Sequence, residues 1–421
     1  MSTKEYEWEP GQTPPTLHVH SVRKHEVLEA YLSRYLKILN SRPHIDTARI
    51  TLVDGFAGGG LYQHEKTGEI TLGSPFIFLQ ATQKAQIEIN LERRKPFKLD
   101  AHYIFVDSNP QNLEFLRDAL NAREYGALLK EDRINLIRGQ FTEHAPKIIN
   151  FIQNKGRGGR AIFLLDQYGY KDVPFTLLQR ILRELPSAEI VLTFAIDALG
   201  DFLGDNESSR KIIERLGIKR PLDLNQIAQT RGTSDRRAII QRLFSSILKE
   251  ESGAAYYTPF FISSRESNRD YWLIHLSMHL RARDEMASLH WQLKNHFKHN
   301  GGAGLDMFGY QPDFDPLITG QAHFPDFNFD NDDREQSIKQ LREQLMRIVW
   351  QNQAGISFHD LLANTCNSTP ASSEIYRAAL GSLIEAEELS VSHPDGIRRQ
   401  KGSSIEKVDL IRPRPKQLMM F

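Results

Sequence analysis

The stretch Thr51–Tyr62, TLVDGFAGGGLY, decides the fold. An apolar run ends in Asp54, and Gly55, Gly58, Gly59 and Gly60 crowd the positions that follow. Glycine inside a regular element costs about 0.5–1 kcal/mol relative to alanine, so the cluster marks a tight turn or a close approach of backbone or ligand. The run before it predicts a strand over Arg49–Asp54. Similar runs follow at Tyr103–Asp107 (YIFVD), Ile134–Arg138 (INLIR), Ala161–Asp166 (AIFLLD) and Glu189–Ala195 (EIVLTFA). All are rich in Val, Ile, Leu and Phe without strict alternation, as parallel strands covered on both faces are. Helical segments separate them, which predicts an α/β fold with an open, mostly parallel sheet. Tyr256–Ser263 and Asp270–Met278 alternate like two strands of an antiparallel hairpin at one sheet edge.

In open α/β sheets ligands bind outside the carboxyl ends of the strands. A glycine turn there lets a ligand approach the backbone and offers amide N–H groups to a carboxylate or phosphate. The stretch is therefore expected to be a cofactor-binding turn. A dinucleotide pattern G-x-G-x-x-G fails: Gln63 stands three residues after Gly60, and a start at Gly55 meets Ala57. A nicotinamide cofactor is disfavoured on that ground.

Asp54-Gly55-Phe56-Ala57-Gly58-Gly59-Gly60 resembles the first motif of class I methyltransferases, in the "FAG" form common among those acting on nucleic acid. That resemblance implies a Rossmann-like methyltransferase sheet and S-adenosylmethionine as cofactor. It implies that Gly55, Phe56, Ala57, Gly58 and Gly59 cradle the methionine end, with Asp54 meeting its amino group. Asp107 would hold the ribose hydroxyls; alternatively it is a strand-end acid or a cap of the helix starting near Asn109. Gln140 and Phe141, after the third strand, would border the adenine, or form a plain turn and a core ring. Asp166-Gln167-Tyr168-Gly169-Tyr170 stands where the resembling methyltransferases carry the D-P-P-Y or D-P-x-G site that faces the methyl group, which implies that Asp166 positions the nucleophile and Tyr168 lines the acceptor pocket. Gln167 replaces the usual proline, which puts amino-methylating chemistry in doubt. Asp166 could also simply tie its loop together.

Taken together, the Lys24…Tyr31-Leu32 helix, DGFAGGGLY, GSPFIFLQA at 73–81, FVDSNPQNLEFL, LLDQYGY, the edge hairpin, Met286 and Trp291 resemble the bacterial three-Cys-motif partner (TcmP) family over residues 20 to 300. The family implies a methyltransferase-like domain and a possible partner protein bearing a three-cysteine motif. It supplies no substrate. In Gly73-Ser74-Pro75, Ser74 is expected to cap a helix that has Pro75 at its first position.

The chain has 421 residues, room for two or three domains. Residues 1–22 predict a flexible or extended lead, since Pro10, Pro14 and Pro15 block a helix. The methyltransferase-like domain spans 23–300, opening with an amphipathic helix at 23–40. A charged helical insertion fills 200–253, with a helix from Asp235 to Lys249 that Thr233 and Ser234 could cap. Residues 301–336 predict an interdomain linker. Residues 337–415 carry helices at Leu341–Gln351, Ser357–Asn364 and Ser372–Glu388, then a basic hairpin with an Asp395-Gly396 turn, the order of a winged helix.

Basic and acidic residues balance at 53 each, so any nucleic-acid contact must be local. The helix at 372–388 sets Glu374, Glu385, Glu387 and Glu388 against Arg377 and would repel phosphate. Arg398, Arg399 and Lys401 in the hairpin, followed by Lys407, Arg412, Arg414 and Lys416, are the candidate contacts to DNA or RNA. The alternative is a winged helix that docks a protein, leaving the fold a non-catalytic adaptor or cofactor sensor. The lone cysteine, Cys366, excludes a disulfide within the chain and a cysteine metal cage. His275, His279, His290, His296 and His299 lack metal-site spacing, so no metal is expected and these histidines read as surface or packed residues. Tyr31 and Tyr35 read as core. The polar N-terminus and the lack of any apolar run of about 20 residues predict a cytoplasmic protein with no membrane contact.

Overall fold

The computed structural model describes residues 6–17, 19–39, 45–155, 159–167, 172–195, 199, 203–230, 236–264, 269–293, 303–305, 307 and 329–414. It divides into two compact units, Met1–Ala282 and Arg283–Phe421, a boundary earlier than the sequence suggests.

The first unit is built on a seven-stranded sheet. Its strands are β2 (Thr47–Asp54), β5 (Lys98–Asp107), β6 (Ile134–Arg138), β7 (Ala161–Asp166), β8 (Ala188–Phe194), β9 (Tyr256–Ser264) and β10 (Arg269–Ser277), in the order β6-β5-β2-β7-β8-β10-β9. The first five are parallel, and β10 runs antiparallel between β8 and β9. This is a mostly parallel α/β sheet with an antiparallel edge hairpin, as the resemblance to class I methyltransferases leads one to expect. The expected strands are all present, and the edge hairpin is the β9–β10 pair. Every residue of β8 is buried, as are the last five of β2. That two-sided burial explains why these strands are continuous apolar runs.

Helix α1 (Val19–Leu39) packs against α2 (Ser74–Glu92). Helices α3 (Pro110–Ala122), α4 (Gly126–Lys130), α5 (Phe141–Asn154) and α6 (Phe175–Glu184) complete the crossovers. Asn109 caps α3 by accepting from the Gln111 amide, with Pro110 in the first turn. The cap expected of Ser74 is not made: Gly73 is the N-cap of α2 and Ser74 is its first residue.

The insertion contributes α7 (Glu207–Leu216), α8 (Leu224–Gln229) and α9 (Arg236–Glu251). Thr233 and Ser234 lie outside the described residues. Phe244 of α9 enters the core, its ring 4.2 Å from Phe194 and 5.7 Å from Trp272, so the insertion is packed onto the sheet.

A second sheet, in the order β1-β3-β4, joins β1 (Thr16–Leu17), β3 (Leu61–His64) and β4 (Ile70–Leu72). The lead is therefore not loose where it is described. β1 pairs in parallel with β3, and Trp8 is 3% exposed with its indole N–H donating to the Leu61 carbonyl at 2.6 Å.

The second unit takes in all but the first three residues of α10 (Leu280–Leu293), and adds α11 (Asn331–Gln351), α12 (Phe358–Thr365) and α13 (Ser373–Glu385). Strands β11 (Ile356–Ser357), β12 (Leu389–Ser392), β13 (Arg398–Arg399) and β14 (Leu410–Pro413) form a sheet ordered β11-β14-β12-β13. Three helices and the β12–β13 wing make it a winged helix. Its first helix starts earlier than expected, capped by Asp330, and β14 was not foreseen beside the hairpin. Buried Arg283 donates to the Thr369 and Ala371 carbonyls, while Asp284 accepts from the Ser373 amide and hydroxyl at the start of α13. Residues 308–328 of the expected linker lie outside the described residues. No helix among the described residues is long and apolar enough to cross a membrane.

Candidate cofactor and acceptor site

Parallel register brings the chemistry together. Asp54 lies opposite Phe105 and Leu164, Asp107 opposite Arg138, and Asp166 opposite Thr193. The carboxyl ends of five strands thus meet around one cavity of about 430 Å³. Gly55, Phe56, Gly58, Asp107, Gln140, Phe141 and Asp166 border it. Tyr168 lies outside the described residues.

Asp107 fixes the glycine turn. Its Oδ2 accepts from the Gly58 amide at 2.9 Å, and its Oδ1 accepts from the Asn109 amide and the Asn112 side chain. Gly58, at φ +57°, turns its N–H to this carboxylate.

The glycines answer to neighbours within the chain. A Cβ on Gly59 would lie 2.4 Å from the Trp8 ring and one on Gly58 2.6 Å; one on Gly55 would meet Leu165 at 2.8 Å. The close approach that the glycines accommodate is at least partly internal: an indole fills the space over Gly58 and Gly59. The sequence did not suggest this, because Trp8 lies about 50 residues before the turn in a segment without periodicity.

Asp54, Ala57 and Gly59 do not border the cavity. Asp54 is 0% exposed, and its Oδ1 accepts from the Phe56 amide. Burial pushes its carboxyl up to about 7, against the opposing pull of Ser74 and the Phe56 amide, with Asp166 and Asp107 adding to the rise.

Asp166 is held by Lys24, whose Nζ lies 2.7 and 2.6 Å from its two oxygens. Burial would raise this carboxyl, but the Lys24 ammonium, the Thr193 hydroxyl and His25 outweigh it and hold it below the usual carboxylate range. Burial and the Lys24 charge lower His25 to about 4, so its ring is neutral at pH 7 despite Asp166. Lys24 and His25 are site residues that pattern alone did not assign. Their one signal was that an otherwise amphipathic helix places both just before its apolar stripe.

Gln167, where the related motif has proline, is 2% exposed. Its Oε1 accepts from the Asp172 and Val173 amides, a loop-closing role proline cannot fill. At the other end of β8, Glu189 accepts from Tyr31, and His275 Nε2 lies 2.9 Å from the same carboxylate oxygen. Tyr31 is core and His275 packed, as read, and both are partners in a buried polar cluster remote from the cavity.

In the wing, Arg398 and Lys401 are exposed. Arg399 is not a free phosphate contact: it is bound to Asp409 at 2.7 Å and to Glu406 at 3.1 Å. Arg377 likewise donates to the Ile405 carbonyl and lies over the Phe358 ring. His296, His299 and Lys416 lie outside the described residues.

Residues 309–396 match the GMT-like wHTH domain family, in accord with the observed winged helix. No curated protein matches the chain. Among solved structures, a Legionella pneumophila protein is similar at 8% identity over 62% of this chain and 86% of that one, TM-score 0.32. The putative methyltransferase yhhF of Escherichia coli is similar at 12% identity over 65% and 100%, TM-score 0.28. The plantazolicin methyltransferase BamL, solved with S-adenosylhomocysteine, is similar at 12% identity over 62% and 86%, TM-score 0.27. At such scores these likenesses have no bearing on function, and the fold assignment rests on the strand order.

Proposed function

We propose that the Met1–Ala282 unit is an S-adenosylmethionine-dependent methyltransferase acting on nucleic acid, with the winged helix supplying nucleic-acid contact. One observation carries the cofactor assignment, the charge of the strand-end cavity. Among the described residues that line it, Glu7, Asp107, Asp166 and Asp172 are acidic and Lys24 alone is a permanent cation, already paired with Asp166. That lining suits a cationic nucleoside and repels a pyrophosphate. The indole over Gly58 and Gly59 also blocks the close backbone approach that a dinucleotide needs.

S-adenosylmethionine supplies an electrophilic methyl group. Gly55 and Phe56 would border its methionine end, Asp107 its ribose, and Gln140 with Phe141 its adenine. Asp166, kept ionised by Lys24, is a weak base and a well-oriented hydrogen-bond acceptor. It would orient the attacking atom, with Tyr168 beside the acceptor, so that positioning is the main contribution. Arg398 and Lys401 would meet phosphate at the wing.

A second reading is a non-catalytic adaptor or cofactor sensor, with a three-cysteine-motif protein as its docking partner. The internal commitments of Arg399 and Gln167 favour it. The two are separated by incubating the full-length protein with methyl-tritiated S-adenosylmethionine and either DNA or RNA. Label in a digested nucleoside supports the enzyme. Cofactor binding without label in either polymer supports the adaptor.

A further inference from the structure

We propose that Tyr6, Trp8 and Tyr62 form a cation-binding corner that recognises the sulfonium of the cofactor, making the N-terminal segment a working wall of the site. The inference rests on the cofactor assignment above. Tyr6 and Tyr62 rings lie 5.1 Å apart at 75°, Trp8 and Tyr62 5.2 Å apart at 71°, and Tyr6 and Trp8 5.8 Å apart at 51°. Tyr62 thus meets each of the other two rings edge to face and not in a stack, and all three border the cavity. An aromatic face carries a negative quadrupole that attracts a ligand cation within about 6 Å.

The corner is held rigidly. Trp8 is locked by its bond to the Leu61 carbonyl and by the glycine surface beneath it. Tyr62 sits in β3, paired with β4 on one side, and β3 pairs with β1 on the other. The Tyr6 hydroxyl lies 3.4 Å from the Ser21 hydroxyl of α1.

The surroundings favour positive charge. His25, 5.9 Å from Tyr62, is held neutral, and Lys24, the one ammonium among the described lining residues, is matched by Asp166. Glu7 adds a carboxylate from the same segment. Such a corner distinguishes a sulfonium from the neutral thioether left after methyl transfer, which would favour release of the spent cofactor.

The test is calorimetric titration of the full-length protein with S-adenosylmethionine, S-adenosylhomocysteine and sinefungin, an analogue with an ammonium near the sulfonium position. Both cations are expected to bind at least about fivefold more tightly than the thioether. Tyr62→Leu and, independently, Tyr6→Leu should bring that ratio close to one while changing thioether affinity by less than about twofold. Thioether binding as tight as that of the cations in the wild type overturns the corner and leaves the cofactor assignment standing. No binding of any of the three overturns both.

Discussion

Lys24 on α1 places its ammonium 2.6 Å from Oδ2 of Asp166, a residue 142 positions later at the end of β7. This pair ties the helix before the sheet to the strand end where the acceptor would sit. It also sets the ionisation of Asp166, and several consequences can be measured.

Lys24→Met should leave a partly buried carboxylate without its partner. The expected destabilisation is roughly 2–3 kcal/mol, discounted for partial exposure, and Asp166→Asn in the same chain should recover part of it. Because Asp166 titrates below its unfolded value, its contribution is present above that value and fades as pH falls through the folded one. Chemical denaturation of the two single variants and the double variant at several pH values checks this.

Asp54 and His25 pull stability in opposite directions with pH. Asp54 titrates near 7 when folded, so the folded state loses stability as pH rises from about 4 through 7. Asp54→Asn should therefore raise the Tm at pH 8 more than at pH 4. His25 titrates near 4 when folded, so the unfolded chain binds its proton first and stability falls as pH drops from 6.5 to 4. His25→Phe should flatten that limb. Thermal melts of each variant across the range read the two effects separately.

Gly59→Ala should push the Trp8 ring out of its seat, at a cost of about 1–3 kcal/mol. The same change in a Trp8→Ala background should cost much less, because the clash is gone. Equal costs in both backgrounds would show that the indole does not shape the turn.

In the wing, Arg398→Ala and Lys401→Ala should weaken binding to a mixed-sequence duplex and lower the salt dependence of that binding. Arg399→Ala should instead lower stability, since it strips the buried Asp409 of its cationic partner and leaves it only the Glu406 amide bond among those seen. Fluorescence anisotropy across salt concentrations, alongside melts, separates the two classes.

The sheet was legible because its strands are buried on both faces, so local composition matched the tertiary environment. INLIR and AIFLLD are strands β6 and β7 residue for residue. The β3–β4 hairpin and β1 were not legible, because strands of two to four residues with mixed burial carry no periodicity. The glycine cluster announced a close approach without saying of what, and the answer lay in Trp8. Lys24 and Arg399 could not be sorted by charge alone: one borders the cavity, paired with Asp166, and the other is held by Asp409 and Glu406 in the wing, and only the fold tells them apart.

The most direct test of the central claim is calorimetric titration of S-adenosylmethionine into the full-length wild type and Asp107→Asn, each first shown to be folded by its thermal melt. The account predicts micromolar binding to the wild type, weakened at least about tenfold in a folded Asp107→Asn. No binding to the wild type, or equal binding to both, would contradict it.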